Sequence, residues 1–150
     1  MKFKTILATT LLASLLAACS TTSKSQLEEA NRKVAIGFYQ DVFINKNIDA
    51  VSKYIGETYI QHNPSLPDGR DILIESLAQR FQQEPERSNQ ILRTAVEGDL
   101  VWLHALAKKN PQDRGRVLVD IYRIKDGKIV EHWDVIQAIP EKSANNNTMY

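Results

Sequence analysis

Apolar residues return every three or four positions in the first half of this chain and every second position in the rest. From Gln26 to Phe43, the residues Leu27, Ala30, Val34, Phe38 and Val42 fall on one stripe, which predicts an amphipathic helix. Ile48, Val51 and Ile55 predict a short second helix over Ile48–Tyr54. The stretch YIQHNPSLPDG, from Tyr59 to Gly69, holds two prolines and a glycine, so it reads as a brief extended piece followed by an irregular loop. Asp68 stands where it would cap a third helix, Arg70–Gln83, in which Leu73, Leu77 and Phe81 share a side.

After Pro85 the period becomes two. Asn89–Glu97 and Leu100–Lys108 flank Gly98-Asp99, and Gly115–Lys125 and Lys128–Ile139 flank Asp126-Gly127, both hairpin signals. Three helices followed by a four-stranded antiparallel meander make an α+β domain, whose sheet buries one face against the helices. Where such a sheet curls, the space beneath it becomes a pocket.

The last strand carries EHWDV, residues 131 to 135, with two ionisable side chains on one face. His132 and Asp134 share that face; Glu131, Trp133 and Val135 share the other. A two-residue turn at Asp126-Gly127 would set His132 opposite Ile121 and Asp134 opposite Val119. A three-residue loop, with Gly127 left-handed, would set His132 opposite Asp120 and Asp134 opposite Leu118. We favour the three-residue loop, because it gathers Asp120, Tyr122, His132 and Asp134 on one face and leaves Val117, Val119 and Ile121 on the other. In the first hairpin, the Gly98-Asp99 turn sets Arg93 opposite His104, on a face with Trp102, and the arginine disfavours protonation of that histidine. Whether this face and the His132 face are the same side of the sheet stays open.

Composition adds a location. Lys2 and Lys4 precede an uncharged stretch from Thr5 to Ala18 that is too short to span a membrane and ends in small residues, the pattern of an export signal. Leu16-Ala17-Ala18-Cys19 resembles the bacterial lipobox, in which the cysteine becomes the lipidated first residue. Cys19 is the only cysteine, so an internal disulfide is excluded. With Ser20 after it, the resemblance implies an exported lipoprotein on the outer membrane facing the periplasm. The expected organisation is a signal peptide over 1–18, a lipidated cysteine and tether over 19–25, one domain over 26–141 and a loose tail over 142–150. The chain has 19 basic and 18 acidic residues; losing Lys2 and Lys4 leaves 17 against 18, a net charge of −1. That balance excludes a basic nucleic-acid-binding surface and points to the anchor as the contact with the membrane.

The segments QHNP, VDIYR, DGKI and EHWDV, taken together, resemble the SnoaL-like polyketide cyclase family, a branch of the nuclear-transport-factor-two-like superfamily. The resemblance spans about Gln26 to Glu141. It implies a cone of curved antiparallel sheet closed by three N-terminal helices around a pocket, and cofactor-free, metal-free acid/base chemistry such as aldol cyclisation or isomerisation of a small apolar carbonyl compound. It carries the catalytic aspartate onto Asp134, with His62, His104, Asp120 and His132 as pocket partners. Proton delivery by His132 or His104 would complete the chemistry; which of the two, and whether Asp120 is instead the base, stays open. The strand faces read above add Tyr122 and Trp102, with His62 and Asp120, as candidate substrate-binding residues. The resemblance also implies a homodimer through the sheet, to which Trp133 and Val135 would contribute. An exported chain has no polyketide assembly line beside it, so the same pocket also suits a non-catalytic ligand- or partner-binding lipoprotein.

Each candidate also has an ordinary structural reading. His132 and Asp134 would serve as an exposed ion pair, His62 as a donor to loop carbonyls, His104 as a core histidine, Asp120 and Tyr122 as solvent-facing groups, and the two tryptophans as packing. The HWD spacing matches part of a two-histidine, one-carboxylate iron site with His104 or His62 as third ligand. That spacing is common by chance and no histidine follows His132, so no metal is assigned. No Gly-x-Ser-x-Gly elbow is present.

Overall fold

The computed structural model describes residues 24–150; the export signal and Cys19 lie outside the described residues. Helix α1 (24–38) runs into a π-helical turn, Tyr39–Ile44, where the expected single helix changes pitch. Such turns re-aim side chains, often at functional sites, and here Tyr39 and Phe43 both reach the cavity described below. A 3₁₀ turn, Ile48–Ala50, leads into α2 (Val51–Tyr54), and α3 spans Arg70–Gln83 as its periodicity predicts. Among the described residues no helix is long and apolar enough to cross a membrane.

The strands are β1 (Ile55–Gln61), β2 (Ser88–Glu97), β3 (Leu100–Lys108), β4 (Arg116–Lys125) and β5 (Lys128–Ala138). They form one curved, unclosed sheet in the order β1-β5-β4-β3-β2. The meander from β2 to β5 is as expected. The brief extended piece before the loop is instead a full strand, β1, which pairs parallel with β5 and sets Gln61 beside His132. Its partner lies some seventy residues away, so no turn signal announces the pairing.

The β4–β5 register differs from both alternatives. Asp126 (φ 52°) and Gly127 (φ 72°) form a two-residue turn and Lys125 faces Lys128, not the favoured three-residue loop. Beyond Ile124 and Ile129 a bulge inserts Val130, so Tyr122 faces His132 and Asp120 faces Asp134. The observed pairing is two residues removed from the favoured one. Because side chains alternate, a two-residue displacement leaves every residue on its expected face. Asp120, Tyr122, His132 and Asp134 therefore do share one face.

That face carries the core. Val101, Leu103 and Ala105 of β3, Tyr122 and Ile124 of β4, and Ile129 of β5 pack against Ala35, Phe38, Tyr39, Val42, Val51 and Leu77 from the helical layer. Phe38 meets Tyr122 edge to face at 5.7 Å. The helical layer is clasped to the sheet by polar contacts: Asn31 Nδ2 donates to the Gly98 carbonyl (2.9 Å) and the Gly98 N–H donates to Glu28 (2.9 Å). Asp68 does not cap α3, which starts at Gly69 without a side-chain cap; its carboxylate accepts the Gln61 N–H at 2.7 Å and ties the loop to β1 instead. At the start of β4 the backbone needs glycine, since Gly115 has φ +98° and a Cβ there would lie 2.9 Å from the Ala107 carbonyl.

Leu103 is fully buried whereas Leu27 is 58% exposed. Truncating Leu103 to alanine removes core contacts and leaves a cavity, so it is expected to cost about 2–5 kcal/mol, against about 0.5 kcal/mol or less for Leu27→Ala. Urea titrations of the two variants check this; equal effects would place the core elsewhere.

Candidate active site

Between the concave face of the sheet and the helices lies a cavity of about 170 Å³. Phe38, Tyr39, Phe43, Leu66, Leu73 and Leu77 give it an apolar wall, and Tyr59, Gln61, Asn63, Asp120, Tyr122, His132 and Asp134 give it a polar one. Arg80, Arg87 and Arg116 line it as well.

His132 sits at the centre of the polar wall and is buried. Its Nδ1 is 2.9 Å from Gln61 Oε1, and its Nε2 is 3.1 Å from Asp120 Oδ1. The orientation of the Gln61 amide is determined by its neighbours. Its oxygen accepts the Asn63 backbone N–H at 2.9 Å, and its nitrogen donates to the Tyr59 hydroxyl at 3.2 Å. An oxygen that accepts from Asn63 can only accept from His132 too, so Nδ1 of the ring carries a proton. Nε2 then shares a second proton with Asp120, because two lone pairs facing one another at 3.1 Å would repel. That proton lies between the two side chains.

Burial pushes the Asp120 carboxyl above its ordinary range; the hydrogen bond and charge of His132 oppose that, and Asp134 adds to it. Its Oδ2 is buried without a partner. Tyr122 stacks on the His132 ring at 5.0 Å, and burial raises its phenol, and those of Tyr39 and Tyr59, well above the ordinary value. The three phenols are kept as donors.

Asp134 is half-buried beside this pair. Both of its oxygens accept from the Asn63 side-chain amide, at 2.9 and 2.7 Å. The QHNP segment thus contributes through Asn63, while its neighbour His62 turns to the other face. There His62 stacks on Trp133 at 4.6 Å and bonds Glu131 at 2.9 Å, and Glu131 in turn accepts from Arg123 at 2.7 Å. His62 is a surface side chain and not part of the cavity wall.

His104 and Trp102 are likewise on the outer face, with Val119 and Arg93. The expected pairing of Arg93 with His104 is present, and Arg93 Nη1 donates to Nδ1 at 2.6 Å. Burial first, and then the Arg93 charge, lowers the pKa of His104. Yet His104 faces Val119 across the β3–β4 ladder while Leu103 faces Asp120, so His104 cannot partner Asp134. The two hairpin faces left open by sequence are opposite sides of the sheet at these positions. Of the expected site residues, Asp120, Tyr122, His132 and Asp134 come together; His62, His104 and Trp102 do not.

Gln61, Asn63 and the three arginines are the residues that sequence reasoning missed. Arg80 had a signal, since it lies three residues after Leu77 and seven after Leu73 and so continues the apolar stripe of α3. Arg116 had one as well, two residues before Leu118 and four before Asp120 on one strand face.

Asp120, His132 and Asp134 offer atoms within 4.8 Å of one another, donor types that would suit a divalent cation. As they stand, both histidine nitrogens and both Asp134 oxygens are engaged in hydrogen bonds, leaving only Asp120 Oδ2 free. Three nearby arginines also disfavour a cation. The arrangement suits proton transfer better than metal ligation.

The match to known proteins fits this architecture. The SnoaL-like polyketide cyclase family model matches residues 33–142, and the chain belongs to that family. A search of curated proteins finds no match. Among solved structures, a SnoaL-like protein of unknown function from Burkholderia thailandensis superposes with a TM-score of 0.65 at 13% identity, covering 75% of this chain and 98% of that one. A proposed SnoaL-like polyketide cyclase from Jannaschia sp. CCS1 gives 0.64 at 17% identity, over 73% and 87%. A proposed polyketide cyclase from Bacillus cereus gives 0.62 at 22% identity, over 71% and 74%. At these identities the structural likeness speaks for the shared cone fold.

The raised carboxyl of Asp120 makes a pH prediction. A group whose pKa rises on folding contributes stability below its unfolded value, near 4, and loses that contribution as pH climbs through the folded value. Relative to wild type, Asp120→Asn should therefore gain stability as pH rises from about 4 to the folded value, and no further beyond it. Urea unfolding of both proteins across a pH series reads the difference; a flat difference would mean that Asp120 keeps its ordinary acidity.

Proposed function

We propose that this protein is a cofactor-free acid/base enzyme that draws a proton from carbon beside a carbonyl in a small molecule, leading to aldol closure or isomerisation. The observation that carries this reading is the grouping of Asp120, His132 and Asp134 within 4.8 Å on the wall of a cavity, with His132 Nε2 3.1 Å from Asp120 Oδ1.

The cycle uses residues already in place. Asp134 takes the α-proton; the C–H electron pair becomes the enolate double bond and the charge passes to the carbonyl oxygen. Phenols kept protonated, together with the His132–Asp120 proton, stabilise that oxygen by hydrogen bonding in a site partly shielded from water. Attack of the enolate carbon on a second carbonyl forms the C–C bond, and the new alkoxide is protonated by the pair or by Asp134. In isomerisation the proton returns to another carbon. Asn63 holds the Asp134 carboxylate in position. His104, on the other face, has no part in this scheme.

The expected lipid anchor at Cys19 is part of the proposal: it would hold the domain at the outer membrane facing the periplasm, where it would meet imported or envelope-derived molecules. The outer face of the sheet, with Val135 68% exposed, is the proposed homodimer surface. A Cys19→Ser chain is expected in the soluble fraction after cell disruption; its recovery with membranes would remove the anchor from the reading.

Exchange of α-protons into heavy water, followed by NMR over a panel of β-keto esters and cyclic ketones, tests the chemistry. Wild type is expected to accelerate exchange for some of the panel, and Asp134→Asn to lower that rate by about 10²-fold or more. Background exchange in both would favour a binding lipoprotein using the same cavity.

A further inference from the structure

Three arginines line the cavity, Arg80 from α3, Arg87 from the segment entering β2 and Arg116 from the start of β4. Their only acidic counterpart within ion-pair distance, among the described residues, is Glu84, which is taken by Arg87 three residues on in the chain. Arg87 is nevertheless buried, and its Nε has no partner. Arg80 and Arg116 form no ion pair among the described residues. Burial first, and then the charges of Arg87 and Arg116, pull the Arg80 guanidinium below its ordinary value, against the opposing charges of Glu84 and Asp134.

Gathering guanidinium groups in a partly buried space costs desolvation and repulsion. The cost is offset when an anion enters, because guanidinium groups bind carboxylates through paired, charge-assisted hydrogen bonds. Asp120 and Asp134 line the same cavity, and the Asp134 charge reaches Arg80. Apolar side chains such as Phe38 and Leu77 complete the lining.

We propose that the cavity takes a small organic carboxylate, with the carboxylate held by Arg80 and Arg116, Arg87 reinforcing their field, and the carbonyl-bearing end turned toward Asp134. This names the substrate class for the site described above and rests on that site being where the substrate binds. A cavity of about 170 Å³ limits the molecule to a compact skeleton such as a short keto acid or a single substituted ring.

The test compares acids with uncharged partners of the same shape: 4-oxopentanoate against its methyl ester, and benzoate against benzamide. Binding to the full chain is measured by ligand-observed NMR for wild type, Arg80→Gln, Arg116→Gln and Asp134→Asn. In wild type each acid is expected to bind about tenfold or more tightly than its neutral partner, and the preference should shrink with added salt. Arg80→Gln and Arg116→Gln should bring the ratio to within about twofold while still binding the neutral probes, which shows that the cavity is intact. Asp134→Asn should keep the preference. Equal binding of acid and neutral partner, failure of wild type to bind either acid, or a preference untouched in both arginine variants would overturn the proposal. Acid-selective binding without Asp134-dependent exchange would uphold it and remove the catalytic reading; exchange on neutral ketones without any acid preference would do the reverse.

Discussion

A buried histidine must find partners for both ring nitrogens, and much of the site follows from how His132 finds them. Gln61 supplies one and Asp120 the other. Gln61 can do so only because β1 lies parallel to β5 and sets the two residues side by side. The same amide oxygen accepts the Asn63 N–H, which turns the following chain inward and brings the Asn63 side chain to Asp134. One side-chain carbonyl thus links the ring's protonation, the path of the loop and the position of the proposed base.

The sheet's curvature and bulge convert that local arrangement into a cavity. Val130, inserted opposite no residue of β4, displaces the outer part of β5 by one position and twists the strand. Below the bulge Ile129 is fully buried in the core; above it His132 and Asp134 face the cavity. A regular ladder after the same two-residue turn would have set His132 across from Ile121, with an apolar neighbour where Tyr122 now stacks. The π turn at Tyr39–Ile44 is a matching irregularity in the helical layer, and its Tyr39 and Phe43 line the cavity.

Electrostatics divide the two faces of the sheet. On the outer face Arg123 pairs with Glu131 and Asp99, and His62 with Glu131, a network exposed enough to contribute little to stability. Inside, Asp120 and His132 lie 3.1 Å apart and buried, where a hydrogen bond is stronger than it would be in water. Equivalent residue types therefore do different work according to burial. His62 and His104 are surface groups bound to charged neighbours, and His132 is the histidine positioned for chemistry.

Periodicity alone carried the helices, the hairpins and the division of β4 and β5 into a polar and an apolar face, because these depend on residues close in sequence. Alternation has period two, so the prediction that Asp120, Tyr122, His132 and Asp134 share a face survived a register displaced by two. Pairings between distant segments were invisible. No local signal told that Tyr59 to Gln61 would join β5, that Asn63 and not His62 would reach Asp134, or that His104 would lie on the far side from the cavity. Nor did any show that Arg80, Arg87 and Arg116, from three separate elements, would line it. Sequence determined which chemical groups were available and which face each could occupy; the tertiary structure decided which met, since contact between remote residues is set by packing and strand order.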